Sequence, residues 1–413
     1  MNPAIIIPTY WCSRRSTGSI ERNALYDHMT PIDKPGNLAG CLDSLSRVHG
    51  VGRIIVLVAA ESGVENQAEE KVRSIVNRYP KLDVALVGQH EVRHLHRRME
   101  QGGLGALSSC ACLNGYGAIR NLGLLSASVF GCDVAVFLDD NVVIQGSDFL
   151  ERALYGVGAQ TPSGEIITAK TGVIINHENS PLASDDGRWY RGSWNKSNGF
   201  NAYITQAMKG PRLSRANVAC GSCLVLHADA YGAVSFDPWI PRGEDVDYVI
   251  SSRMYGREVW LDNTLTVLEG DEGAAKDSRH FLQDVYRWYY ESRKIEFAKA
   301  QIDLMQVSPE SMEPYPGPWL KKGIGNKALI TSLLSAVGDP EHGAYFNIAT
   351  SGRKEASEYA RDNCSRYFEF QRQWPTLVRG LWGDTPLATQ FSGARAVSSG
   401  AGFTGRFSAI TVD

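Results

Sequence analysis

No run of about 18 apolar residues, the length a membrane-spanning helix needs, occurs in the sequence, so no integral membrane segment is expected. An excess of charge of either sign is also absent. There are 42 Lys and Arg against 45 Asp and Glu, a net charge of -3. A nucleic-acid binder is marked by a basic footprint, so no nucleic-acid partner is expected. Cysteine is sparse, at 8 in 413 residues, too few for a disulfide framework in a chain this long. Cys110 and Cys112 form a CxC pair, and Cys220 with Cys223 lies far along the chain, unlike the compact paired knuckles of a zinc site. Buried thiols are the better reading. The opening MNPAIIIPTYW lacks a basic n-region and its apolar run is short for a secretory signal, so the expected location is cytoplasmic. What is present is the usual globular balance, 43% hydrophobic and 21% charged. The length suits two or three domains, or one large domain with an appendage.

The first 150 residues alternate apolar strands with helical patterns. Residues 4–8, 53–58, 84–87 and 133–138 read as buried strands. Residues 64–79 read as a helix with Val64, Ala68, Val72, Ile75, Val76 and Tyr79 on one face, and 114–130 as another. Continuous apolar strands separated by helices imply parallel pairing with both faces covered. Such sheets take ligands beyond the carboxyl ends of their strands. Functional residues are therefore expected after Pro8, after Val58 and after Leu138. Residues 11–40 are polar and rich in turn formers and read as an insertion over the first strand end, a candidate lid. Residues 177–217 read as a polar loop carrying Trp189, Tyr190, Trp194, Phe200 and Tyr203. Residues 279–390 are helical in pattern, and 391–413 form a Gly/Ser-rich tail. No internal repeat is present.

The strongest local signal is Phe137-Leu138-Asp139-Asp140-Asn141, two adjacent carboxylates where an apolar strand ends. Carboxylates that close repel unless a cation or donor neutralises them. Oxygen ligands suit Mg2+ or Mn2+, which join one or two carboxylates to substrate phosphates. The plain alternative is a capped turn. A second signal is Pro241-Arg242-Gly243-Glu244-Asp245-Val246-Asp247, with three acids at the start of a helical pattern. Either they complement the helix dipole, or one serves as a general base at an acceptor hydroxyl.

In combination these motifs resemble the GT-A glycosyltransferases, in particular the large, family 2-like group of inverting, nucleotide-sugar-dependent enzymes. The resemblance runs through Ile7-Pro8-Thr9-Tyr10, then Gly117-Ala118-Ile119-Arg120-Asn121-Leu122-Gly123-Leu124, then Asp139-Asp140-Asn141. It continues with Ala219-Cys220-Gly221-Ser222-Cys223, Phe236-Asp237, Glu244-Asp245-Val246-Asp247 and Tyr255-Gly256-Arg257-Glu258-Val259-Trp260. Each motif alone is weak; their order across residues 3–270 carries the likeness.

The resemblance implies an α/β, GT-A (Rossmann-like) fold, with a mostly parallel central sheet and flanking helices. Residues 1–278 would form the transferase domain, with a nucleotide-binding half at 1–145 and an acceptor half at 146–278. It implies a UDP- or GDP-sugar donor, a hydroxyl acceptor such as a saccharide, and a divalent cation, Mn2+ or Mg2+. Pro8, Thr9 and Tyr10 would line the base and ribose pocket. Arg120 would approach the diphosphate, with Asn121 shaping the same turn. Asp139, Asp140 and Asn141 would form the metal side, with the choice of ligand among them open. Asp245 would be the catalytic base and Glu244 would position the acceptor, with Gly221 and Ser222 on the acceptor side. Trp189 and Trp194 are acceptor candidates, because sugar faces pack on aromatic rings.

Two departures from the family pattern stand out. The acidic residue that reads the base is displaced, leaving Glu61 as the candidate. The usual metal-binding histidine after the last strand is missing, leaving Glu269 or His280. The implied chemistry is a single displacement with inversion. The alternatives are a retaining enzyme and a non-catalytic nucleotide- or saccharide-binding module on the same fold. A sugar-phosphate nucleotidyltransferase would need a Gly-rich phosphate loop with Lys near the N-terminus, and Arg14, Arg15 and Gly18 do not supply one. The helical section has three roles open to it: completing the acceptor site, forming a homo-oligomer, or touching a membrane. Its Lys and Arg are too dispersed along the sequence to favour the last.

Overall fold

The computed structural model describes residues 1–13, 26, 29–185, 187–270 and 277–392. Part of the candidate lid (14–25 and 27–28, with Arg14, Arg15 and Gly18) and the tail from 393 lie outside the described residues.

The Ile5-Ile6-Ile7 run is the centre of β1 (Pro3–Cys12), and all three residues are buried. β-branched side chains suit a pleated strand covered on both faces. β1 pairs in parallel with β2 (Thr30–Pro31), β3 (Arg53–Ala60) and β5 (Val134–Phe137), and β3 pairs in parallel with β4 (Asp83–Val87). The four strands expected from the sequence are β1, β3, β4 and β5. The second half of the sheet is mixed. β9 (Leu224–His227) runs antiparallel to β5 and to β7 (Ala169–Ile175). β10 (Val259–Glu269) runs parallel to β7 and antiparallel to β6 (Val142–Val143) and β8 (Leu213–Arg215). The order is β4-β3-β1-β5-β9-β7-β10-β6.

Helices α1 (Leu38–Leu45), α2 (Glu65–Val76), α3 (Gln89–Gln101) and α4 (Tyr116–Val129) cross between or flank the parallel strands. α2 buries Ala68, Val72, Ile75 and Val76, the stripe expected from its spacing. α5 (Phe149–Leu154), α6 (Ser197–Lys209), α7 (Ala228–Tyr231) and α8 (Glu244–Met254) belong to the mixed half. The region expected as a polar loop, 177–217, therefore holds a helix and a strand. Tyr203, Ile204 and Ala207 recur at helical spacing and are the buried face of α6; the polar residues between them masked that period.

From Ser278 the chain is helical: α9 (Ser278–Ala298), α10 (Gly317–Leu320), α11 (Ile324–Gly338), α12 (His342–Asn347), α13 (Arg353–Leu381) and α14 (Thr385–Phe391). These helices share one apolar core with the sheet layer. Ile6, Leu124 and Phe137 belong to the same buried cluster as Trp288, Trp374 and Phe391. Each large side chain so buried contributes roughly 1.5–3 kcal/mol. Polar ties cross the same boundary: Trp374 Nε1 donates to the Tyr231 carbonyl at 2.6 Å, and the Ser235 hydroxyl donates to Gln371 Oε1 at 2.7 Å. The cysteines are all free thiols.

Candidate active site

A cavity of about 530 Å³ opens where β1 and β5 end, and Tyr10, Arg120, Asp139, Asp140, Glu244 and Asp245 all reach its wall. β5 ends at Phe137, so Asp139 and Asp140 emerge beyond its carboxyl end, the position where a parallel sheet presents ligand-binding groups.

Arg120 organises the floor. It projects from α4, only 4% exposed. Its Nη2 donates to Asp139 Oδ1 at 3.0 Å and its Nε to Glu244 Oε1 at 3.2 Å. One guanidinium thus spans the strand-end motif and the start of α8. Burial opposes its charge, but Asp139 and Glu244 outweigh that and move its pKa up. Its Nη1 is buried with no partner among the described residues. A buried N–H left over beside two carboxylates is a place for an added anion.

The two aspartates differ. Asp139 is held by Arg120 and by the Ser222 hydroxyl, which donates to Oδ2 at 2.5 Å, and its side chain is 28% exposed. Asp140 is 4% exposed and accepts from the Thr9 hydroxyl at 2.5 Å. Burial pushes the Asp140 carboxyl up to about 7, against the lowering effect of Thr9 and with a further rise from Asp139. Glu244 is raised to about 7, first by burial, with Arg120 pulling it down.

Asp245 takes a different direction from its neighbours. It accepts from the Val246 amide at 2.7 Å and from the Gly221 amide at 3.3 Å, and it lines the cavity half-buried. Gly221 is required where it stands: a Cβ there would lie 2.5 Å from Arg120 Nη2. Asp247, three residues after Glu244, points away from the cavity. Its carboxylate accepts from Lys294 Nζ at 2.7 and 2.8 Å, in a fully buried cluster that also pairs Lys294 with Asp237 at 2.8 Å. Of the three acids at the start of α8, Asp247 is part of the structure's internal wiring.

Other expected residues lie elsewhere. Of Pro8, Thr9 and Tyr10, only Tyr10 reaches the cavity. Pro8 is inside the sheet, and Thr9, fully buried, holds Asp140. Asn121 is fully buried and saturated by backbone: its amide donates to the Cys110 and Phe236 carbonyls at 3.0 Å and accepts from Phe236 N at 2.9 Å. It joins α4 to the 236 turn instead of facing a ligand. Glu61 accepts from the Ser13 amide at 2.7 Å, beyond the end of β3 and off the cavity wall. Trp194 is in the core, its Nε1 donating to Asp284 at 2.6 Å, and Trp189 is 65% exposed on the outer surface. Neither reaches the cavity. His280 is buried against Asp277, with Nδ1 to Oδ1 at 2.9 Å, and lines a separate smaller cavity with Lys196 and Asp284. Glu269, at the end of β10, does line the main cavity. So do Gly221 and Ser222. Asn141 lines it too, and its carbonyl accepts from Gly270 N at 2.6 Å.

The sequence reading missed an aromatic shelf and a cation. Tyr26 stacks on Tyr10 at 3.8 Å and meets Tyr116 edge-on at 5.0 Å, and all three line the cavity. Arg287 comes from α9, 6% exposed, with Nε on Glu291 at 3.2 Å and Nη2 buried without a partner among the described residues. Gly243, at φ +74°, makes room for it: a Cβ there would lie 2.0 Å from Arg287 Cζ.

Among the described residues no three His, Cys, Asp or Glu side chains converge on a point that would hold a metal by protein ligands alone. The donor set nonetheless fits a magnesium-like ion. Such ions take one or two carboxylates and complete their shell with water and phosphate oxygens. Asp139, Asp140 and Glu269 are all hard oxygen donors on one cavity, with an orphaned arginine N–H beside them.

No family profile matches the sequence, and no curated protein matches it. Among solved structures, 62 chains match. One is the mannosyltransferase PcManGT from Pyrobaculum calidifontis in complex with GDP-Man and Mn2+, at 13% identity over 93% of this chain and 86% of that one, TM-score 0.43. Another is glucosyl-3-phosphoglycerate synthase from Mycobacterium tuberculosis with Mn2+, UDP and phosphoglyceric acid, at 12% identity over 69% and 78%, TM-score 0.36. A third is GalNAc-T7 with UDP, GalNAc and Mn2+, at 12% identity over 82% and 58%, TM-score 0.38.

Proposed function

We propose that this chain is a metal-dependent glycosyltransferase that moves a hexose from a UDP- or GDP-sugar to an acceptor hydroxyl, with inversion. The observation that carries this reading is the meeting of Asp139, Asp140, Arg120 and Asp245 on one cavity at the strand ends. A diphosphate needs cations and N–H donors, and the left-over Arg120 Nη1 supplies one of the latter. Asp139 and Asp140 would hold a divalent cation, its shell completed by water and phosphate oxygens, and when bound it offsets charge on the departing diphosphate. Tyr10 and Tyr26 offer a flat aromatic face for a base.

Asp245 acts as general base. Its two amide donors fix the carboxylate and leave lone pairs for an acceptor hydroxyl. As that proton moves to Asp245, the acceptor oxygen bonds to the anomeric carbon. The bond from that carbon to the diphosphate oxygen breaks, and the electron pair leaves with the nucleoside diphosphate. Arg120 stays charged throughout and stabilises the leaving group electrostatically. Glu244 holds the other edge of Arg120 and so sets its direction, a positioning role.

Transfer from a panel of UDP- and GDP-sugars with Mn2+, with the anomeric configuration of the product read by NMR, tests the reading. Inverted product that needs Mn2+ supports it. Nucleotide binding without any turnover across donors and acceptors would reduce the protein to a binding module, and retained configuration would remove Asp245 as base.

A further inference from the structure

Arg287 lines the main cavity, and the transfer chemistry leaves it without a task. Its placement is costly on two counts. It is only 6% exposed, so its charge is held out of water. Its guanidinium also lies over Gly243, the N-cap of α8, where a Cβ would meet Cζ at 2.0 Å and Nη1 at 2.2 Å. A helix N-terminus carries positive charge of its own and suits anions, not cations.

The protein's own acids do not answer both. Among the described residues Glu291 is the one hydrogen-bond partner of Arg287, through Nε alone, at 3.2 Å. Nη2 is buried with no partner, and so is Glu291 Oε2. The acids that open α8 are engaged elsewhere. Glu244 is bonded to Arg120 and Asp247 to Lys294, and Asp245 accepts from the Gly221 and Val246 amides. Asp284, one turn before Arg287 on α9, accepts from Trp194 and Lys196. An unspent, buried N–H above a helix N-terminus is a place for an anion from outside the chain.

Position says which molecule brings that anion. Burial opposes the Arg120 charge, and Asp139 and Glu244 hold it up. Burial opposes the Arg287 charge too, but there Glu291, Tyr315, Asp284 and Asp245 hold it up. The two guanidiniums therefore serve different ends of the cavity. The remaining acids of the wall, Asp139, Asp140 and Glu269, belong to the metal side; Glu269 stands in register with Val142, just past the tip of β5. Asp245 follows Gly243 by two residues, so a group held at Arg287 lies within about one helical turn of the base.

We propose that the acceptor carries a carboxylate or phosphate close to the hydroxyl it offers, and that Arg287 recognises this group across the N-terminus of α8. The inference rests on the glycosyltransferase reading and names the acceptor class of that site. The planar guanidinium matches the oxygens of either anion. A neutral sugar leaves the buried N–H unpaired and is rejected for that reason. Arg287 is thus a specificity residue, and α9 completes the acceptor side.

The test compares three probes that differ at one position: methyl glucoside, methyl glucuronide and methyl glucoside 6-phosphate. Binding to the full chain is measured by calorimetry, with Mn2+ and UDP or GDP present. At least one anionic probe is expected to bind about tenfold or more tighter than methyl glucoside; which one does so separates carboxylate from phosphate. Arg287→Met is expected to abolish the preference. Arg287→Met with Glu291→Gln removes both charges of the pair, so that loss of preference is read in a chain whose melting temperature is checked alongside. Equal binding of all three probes, or no binding of either anionic one, overturns the proposal. A preference that survives in both variants also overturns it and leaves Arg287 as a tie to Glu291. Transfer to methyl glucoside as fast as to the anionic probes sinks the proposal and spares the glycosyltransferase reading. Arg287-dependent anion binding with no transfer from any donor sinks that reading and keeps the anion site.

Discussion

Replacing Arg120 by Met removes the one cation between two carboxylates while keeping much of the side-chain volume. Arg120 and Glu244 side chains are 5% and 6% exposed and Asp139 is 28% exposed, so water replaces little of the lost interaction. Breaking a buried ion pair by deleting one partner costs about 3–5 kcal/mol, because the other charge is left uncompensated. For a chain of 413 residues that corresponds to a fall of roughly 3–6 °C in melting temperature. The loss depends on pH in a fixed direction. Glu244 already sits near 7 in the fold, raised mainly by burial. A carboxyl raised above its unfolded value favours the fold at low pH and loses that contribution as pH rises through the folded pKa. Without Arg120 the Glu244 carboxyl rises further, so R120M should be tolerated at pH 5, where Glu244 is protonated, and be most damaging at pH 8. Urea or thermal unfolding of wild type and R120M at the two pH values measures this, and R120M/E244Q should recover much of the loss at pH 8. An equal loss at both pH values, or a loss below about 1 kcal/mol at pH 8, would refute the idea that this guanidinium is the charge clamp of the site.

Three further outcomes are expected. Asp245→Asn should lower kcat about 10²–10⁴-fold with nucleotide affinity unchanged by calorimetry; equal loss of both would remove Asp245 as base. Mn2+ affinity should fall as pH drops below about 7, because protons compete for Asp140, which burial has raised to about 7. Manganese titrations between pH 5.5 and 8, read by electron paramagnetic resonance, check this, and a flat profile would contradict it. Gly243→Ala should destabilise by about 1 kcal/mol or more through its positive φ and displace Arg287, whose Cζ would lie 2.0 Å from the new Cβ; an unchanged melting temperature would show that Arg287 has room to move.

The parallel half of the sheet was legible because a run such as Ile5-Ile6-Ile7 has only a doubly covered strand to go to. Asp139 and Asp140 were legible for the complementary reason: two carboxylates after such a run cannot stay inside it. Legibility ended where direction mattered. Glu244, Asp245 and Asp247 sit within one turn of α8, and only the helix's rotation sends Asp247 to Lys294 and Asp245 to the cavity. Composition could not separate packing from stacking either, so Trp194 read as a sugar platform when it is a core residue tied to Asp284. Thr9, expected to line the base and ribose pocket, and Asn121, expected to shape the turn beside the diphosphate, have their side chains engaged by protein partners. Arg287 had no local signature at all, since it arrives from α9 through a gap that a glycine 44 residues earlier leaves open.

The central claim is that the tip of β5 and Arg120 together bind a metal–diphosphate. Anomalous diffraction from a crystal soaked with Mn2+ and UDP or GDP tests it most directly. The account predicts a manganese peak at coordination distance from the Asp139 or Asp140 carboxylate, bridged to a diphosphate that takes up the spare N–H of Arg120. A nucleotide bound elsewhere, or manganese seated away from both aspartates, would contradict it.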